Sequence, residues 1–165
     1  MIHKIIWKVT VIGIKNSGKS SLISSAAFKT GTPLSTRGFI RKKVNIEIGG
    51  EEYDIGLLFF EMPLETISDK MLSKSTFILL TTDITNMRSL IEAENFIKNN
   101  SNNEIFIIAM KSDMRYKSEF WSPELDKIKK KYNVMYYLYN TEEDFCPLLN
   151  DILKNSLGKI YNQNK

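Results

Sequence analysis

Apolar positions in this chain fall into short dense runs, and between them lie stretches whose apolar residues recur at helical spacing. Ile5-Ile6-Trp7-Lys8-Val9-Thr10-Val11-Ile12 is β-branched and largely apolar, the pattern of a buried strand. Residues 20–28 place Leu22, Ile23, Ala26 and Phe28 at helical spacing. Over 39–48, Ile40, Val44, Ile46 and Ile48 partly alternate with charged residues. Gly49-Gly50 supplies a tight turn, and 51–60 grows more apolar towards its end, so the two runs predict a hairpin. Residues 61–74, with Pro63, read as polar and irregular. Buried strands are expected at 76–82, ending at Asp83, and at 104–110. Between them 89–99 is helical, with Leu90, Ala93, Phe96 and Ile97 on one face, and 99–103 is an Asn-rich loop. Ser122 as cap and Pro123 at the first position start a helix to about residue 131. A last strand at 133–139 and a closing helix at 142–157, interrupted near its start by Pro147, leave a polar, frayed tail.

Strands alternating with helices around one hairpin predict a three-layer α/β/α fold. Its sheet is mostly parallel and six-stranded, with one antiparallel edge strand. Residues 1–158 are expected to form one domain and 159–165 a short polar tail, with no internal repeat and no linker.

The candidate chemistry sits between the first strand and the first helix. Gly13-Ile14-Lys15-Asn16-Ser17-Gly18-Lys19-Ser20 fits the phosphate-binding P-loop, G-x-x-x-x-G-K-[ST], position for position. Glycines allow a tight loop whose backbone N–H groups turn towards phosphates, and the helix that follows offers its positive end. The expected phosphate-binding set is Gly13, Lys15, Asn16, Ser17, Gly18, Lys19, Ser20 and Ser21. Lys19 would reach the outer phosphates and the Ser20 hydroxyl would ligate Mg²⁺. The fold class sharpens accordingly to a P-loop nucleoside-triphosphatase domain.

Composition excludes several other classes. At 165 residues the chain is long enough to bury roughly two-thirds of its unfolded surface. No apolar run reaches the length of a membrane span, and residues 1–4 lead straight into a strand, so no signal peptide is expected. Cys146 is the one cysteine, which excludes an internal disulfide framework and fits a reducing, cytoplasmic compartment, peripheral to an endomembrane at most. The net charge of +4 comes from scattered Lys and from basic runs at 41–43 and 127–131, which read as solvated surface. Arginines and aromatics are not concentrated together, so no nucleic-acid partner is expected.

The order of elements and several further motifs resemble a Ras-superfamily small GTPase, most closely the Rab branch, over essentially the whole chain. Thr36-Arg37-Gly38-Phe39 looks like the switch I "T-x-G-x-x-F" with the Phe displaced. Asp83-Ile84-Thr85-Asn86-Met87-Arg88-Ser89-Leu90 looks like the Rab "D-I-T-N-x-x-S-F", and Asn133-Val134-Met135-Tyr136 like "N-V-x-F". Lys111-Ser112-Asp113 stands where the family has N-K-x-D. The resemblance implies GTP and GDP as ligands with Mg²⁺, held by Ser20 and Thr36. It implies Lys111 along the guanine ring and the Asp113 carboxylate accepting from guanine N1–H and N2–H₂, which adenine cannot match. Protein effectors and regulators would bind through the 30–43 and 61–74 loops.

The departures bear on catalysis more than on binding. Glu61-Met62-Pro63-Leu64 replaces D-x-x-G, so the metal-side acid is longer and the γ-phosphate glycine is a leucine. Glu65 stands where a water-orienting Gln is expected, and is the catalytic candidate with Lys19. Met110 replaces the Asn of N-K-x-D, and Leu138-Tyr139-Asn140 stands in for S-A-K. Lys15 crowds the position of the terminal phosphate. The C-terminus carries no lipidation cysteine, so membrane association is not expected through it. Three readings remain: a Rab-like GTPase in trafficking or signalling that hydrolyses GTP slowly; a pseudo-GTPase that serves as an interaction module; and a small-molecule kinase, which the dispersed Arg37, Arg41, Arg88 and Arg115 disfavour.

Overall fold

The computed structural model describes residues 1–28 and 38–163. Thr36, and the part of the expected 30–43 loop before Gly38, lie outside the described residues. Six strands form one sheet in the order β2-β3-β1-β4-β5-β6. They are β1 (Ile2–Gly13), β2 (Phe39–Ile48), β3 (Glu51–Pro63), β4 (Ser75–Asp83), β5 (Ile105–Met110) and β6 (Met135–Leu138). Every neighbouring pair is parallel except β2 with β3, whose hairpin closes through Gly49 and Gly50. Both glycines have positive φ, 59° and 81°, as a two-residue primed turn demands. The α/β class, the strand count and the single antiparallel pair therefore match the sequence expectation.

Among the described residues five α-helices accompany the sheet: α1 (Lys19–Phe28), the short α2 (Asp69–Leu72), α3 (Met87–Asn99), α4 (Ser122–Tyr132) and α5 (Cys146–Gln163). Alternation along the strands splits the core in two. On β4, Phe77 and Leu79 join the cluster beneath α1 and α5, while Ile78 and Leu80 join the cluster beneath α3 and α4. β5 does the same with Phe106, Ile108 and Met110 against Ile105, Ile107 and Ala109. Each such buried Leu, Ile, Phe or Met side chain contributes about 1.5–3 kcal/mol. Strands apolar on both faces are what a parallel sheet sandwiched by helices requires. No helix among the described residues is long and apolar enough to cross a membrane.

Several boundaries differ from the sequence expectation. β1 and β3 each run further because they pair in register from Ile2 with Glu52 to Gly13 with Pro63, which draws 61–63 out of the irregular stretch. The remainder of that stretch is a 3₁₀ turn, Leu64–Thr66, followed by α2, whose N-cap Ser68 accepts from the Met71 N–H. α3 starts earlier, at Met87, because the Asn86 side chain accepts from the Arg88 N–H and caps it. Trp121, not Ser122, is the N-cap of α4; the Glu124 carboxylate accepts from its N–H at 2.9 Å. β6 is confined to Met135–Leu138. α5 is not interrupted at Pro147 but begins beside it: Pro tolerates the first turn, and the Asp144 side chain accepts from the Cys146 N–H. The helix continues through Gly158 to Gln163, so most of the expected frayed tail is helical.

Candidate functional site

The parallel strands β1, β3, β4, β5 and β6 all end at one edge, where open α/β sheets place their ligands. The 13–20 loop leaves β1 at the middle of that edge. Its foot is closely packed. A Cβ on Gly13 would stand 2.2 Å from Ser17 Oγ and 2.1 Å from Thr81 Oγ1, so only glycine fits there. Ser17 and Thr81 hydroxyls are hydrogen-bonded at 2.7 Å, and Thr81 donates to the Ile12 carbonyl at 3.1 Å. This buried tether fixes the loop to β4. Thr81 carries no motif signal; a polar Thr81-Thr82 pair at the end of an apolar strand was the only hint of it.

Asn16 (φ 65°) and Gly18 (φ 97°) are both left-handed, the kind of backbone that turns successive N–H groups into an anion-binding concavity. The first bond of α1 runs from the Leu22 N–H to the Gly18 carbonyl, so the positive end of the helix faces the loop. Met110, at the end of β5 and on the α1 face of the sheet, packs on Gly18.

Lys19 is buried, and its ammonium donates to the Ile14 carbonyl at 2.9 Å, folded across the loop. Burial lowers its pKa below 10.5, against the opposing charges of Glu61 and Glu65. Glu61 continues the alternation of Ile55, Leu57 and Phe59, which point to the α1 face. Its carboxylate thereby meets the start of α1, where the Ser20 hydroxyl donates to it at 2.8 Å from either oxygen. A serine hydroxyl beside a carboxylate is a hard-oxygen donor set of the kind Mg²⁺ takes.

Glu65 comes back to the loop from the 3₁₀ turn: its Oε1 accepts from the Lys15 N–H at 3.2 Å. Its carboxyl is held below the usual carboxylate range by its own backbone N–H, by that of Lys15, and by the charges of Lys19 and Arg88, while burial opposes. Leu64 and Ile67 on either side of it pack on the cluster beneath α3 and α4.

Across the loop, Lys111 adopts a left-handed backbone (φ 64°) and donates to Asp83 Oδ2 at 2.7 Å. Asp83 is buried and also accepts from the Thr85 N–H and hydroxyl. Burial pushes its carboxyl up, but Lys111 and Thr85 outweigh that and leave it below 3.8. A cavity of about 430 Å³ is lined by Lys15, Asn16, Gly18, Lys19, Ser20 and Ser21 together with Glu61 and Lys111. The structure thus brings six of the loop candidates and Lys111 to one cavity, while Gly13 and Ser17 support it from below. Asp113 is exposed on the 3₁₀ turn Ser112–Lys117 and is not among the lining residues. Its loop is nevertheless held: the Ser112 N–H donates to the Tyr139 carbonyl at 3.1 Å, and Asn140 Nδ2 donates to Ser112 Oγ at 3.2 Å. Of Arg41, Arg88 and Arg115, none lines the cavity.

The site is a cationic and amide-rich loop opposed by carboxylates, at the ligand edge of a six-stranded α/β sheet. No protein-family model and no curated protein matches the chain.

Proposed function

We propose that the chain binds a guanine nucleotide on the 13–20 loop and is a divergent, Rab-like small GTPase that hydrolyses GTP slowly. The observation that carries this is the loop itself, with Asn16 and Gly18 left-handed, Lys19 buried across it and the Ser20–Glu61 pair beside it. In this reading Lys19 pairs with the β- and γ-phosphates. Ser20 and Glu61 would hold Mg²⁺, which when bound neutralises phosphate charge. Thr36 is the further metal ligand implied by the family resemblance. Lys111 lies along the base, and Asp113 accepts from guanine N1–H and N2–H₂. The Asn140–Ser112 bond supports this assignment, because it ties the loop after β6 to the base-side turn.

Rate acceleration in such a site comes from positioning and charge neutralisation by the loop and the metal, with no dedicated water-orienting residue among the described ones. Effectors and regulators would meet the 30–43 and 61–74 segments, of which 38–43 and 61–74 are among the described residues. The direct test is to denature the purified protein and identify the nucleotide released, followed by single-turnover hydrolysis of GTP with Mg²⁺. Release of guanine nucleotide and a rate at or below about 10⁻⁴ s⁻¹ are expected. Adenine nucleotide, or no nucleotide together with no binding of added GDP, would remove the proposal.

A second reading has its own support. Glu65 bonded to the Lys15 N–H favours a module that keeps its nucleotide as a structural cofactor and presents a fixed surface to partners. A hydrolysis rate indistinguishable from that of GTP in buffer would favour it over the slow enzyme.

A further inference from the structure

Strand order gives the cavity a direction. β3 lies on one side of β1, and β4 followed by β5 on the other, so Lys111 after β5 marks one end and Glu61 with Glu65 the other. With the base on the Lys111 side, successive phosphates run along the loop towards β3. The last of them meets the Lys15 N–H, the Lys19 ammonium and two carboxylates. Glu65 already holds that N–H, from a turn whose partly buried Leu64 and Ile67 pack against the core beneath α3 and α4. Glu61 is likewise engaged with Ser20.

We infer that Glu65 is a specificity-determining residue that makes the site select a nucleoside diphosphate over a triphosphate, by occupying the loop amide that a third phosphate would take and placing a negative charge beside it. The inference rests on the proposed nucleotide-binding reading and deepens it. A diphosphate leaves the Glu65–Lys15 bond intact and still uses Lys19 and the start of α1. A triphosphate must either displace the carboxylate from the Lys15 N–H or lie against it with like charges in contact. Rejection of the larger ligand by an unfavourable charge is the form specificity takes when the attractive contacts are shared by both ligands. Ionisation of Glu65 at neutral pH, favoured by its own and the Lys15 N–H groups, supports the charge assigned to it.

The test is titration of the nucleotide-freed full chain with GDP and with a non-hydrolysable GTP analogue in Mg²⁺. Wild type should bind GDP about tenfold or more tightly than the analogue. Glu65→Gln keeps a neutral acceptor for the Lys15 amide and removes the charge. It should tighten the analogue about tenfold while leaving GDP within about twofold, which also reports that the variant is folded. Equal affinity of wild type for the two ligands overturns the inference and leaves nucleotide binding standing. So does a Glu65→Gln effect of the same size on both, the signature of a merely structural role. A diphosphate preference shared by GDP and ADP leaves the inference standing and removes the guanine assignment. Failure to bind any nucleotide removes both.

Discussion

Met110 lies over Gly18, its Cε and Cγ each 3.1 Å from where a Cβ on that glycine would stand, while Gly18 itself sits at φ 97°. The glycine is therefore required twice, by backbone conformation and by its neighbour. Gly18→Ala should lower stability by about 1–3 kcal/mol. In a Met110→Ala background the same change should cost less but not nothing, since the strained φ remains. Urea unfolding of the four proteins of this cycle gives the comparison. An identical cost in both backgrounds would show that Met110 is not the contact that matters.

Thr81→Val should destabilise the protein by about 1–3 kcal/mol, because it leaves the buried Ser17 hydroxyl without its 2.7 Å partner and frees the Ile12 carbonyl. The volume is nearly unchanged, so the loss is that of the hydrogen bonds and not of packing. A lowered urea midpoint with an unchanged slope is the expected readout. Weakened phosphate binding should accompany it, since the tether holds the foot of the loop. A midpoint equal to wild type would mean that the Ser17–Thr81 bond contributes nothing to the loop.

Asp83 predicts the direction of a pH effect. Its folded-state pKa lies below 3.8, so the folded protein holds the carboxylate more strongly than the unfolded chain does. The resulting stabilisation is complete above the unfolded value, and it is lost as pH falls through the lower, folded one. Unfolding free energy should therefore decline as pH falls through and below the ordinary carboxylate range, and Asp83→Asn should make that decline shallower. Chemical unfolding at a series of pH values measures it. If the variant's pH dependence superimposes on that of wild type, the Lys111–Asp83 bond is not what holds the carboxylate.

Asp113→Asn should weaken GDP by about 1.5–3 kcal/mol, the loss expected when a charge-assisted pair becomes neutral. ATP should compete poorly against GDP in wild type, because adenine offers no matching donor pair. A displacement titration reads both. ATP and GTP competing equally would take the base-recognition role from Asp113, whose exposed position makes this a demanding test.

What the sequence determined by itself was what depends on neighbours along the chain. Dense apolar runs placed the buried strands, partial alternation placed β2, helical spacing placed α1 and α3, and Ser122-Pro123 marked the start of α4. Gly49-Gly50 announced the hairpin, because its positive φ angles are a local demand. The letters from Gly13 to Ser20 marked the loop proposed to bind phosphate for the same reason: a tight, left-handed turn between strand and helix needs particular residues at particular steps.

Element ends and site partners were settled elsewhere. β3 reaches Pro63 only because β1 is there to pair with it, and α5 extends past Gly158 although its sequence turns polar. Ser17 with Thr81, Lys15 with Glu65, and Lys111 with Asp83 are separated by 64, 50 and 28 positions. Each pair meets because β3, β1, β4 and β5 stand in that order and end at one edge. Turn chemistry and periodicity act over a few residues and are written in the residues themselves. Which carboxylate reaches which amide depends on the order in which distant strands bury their apolar faces together, and only the folded chain decides that.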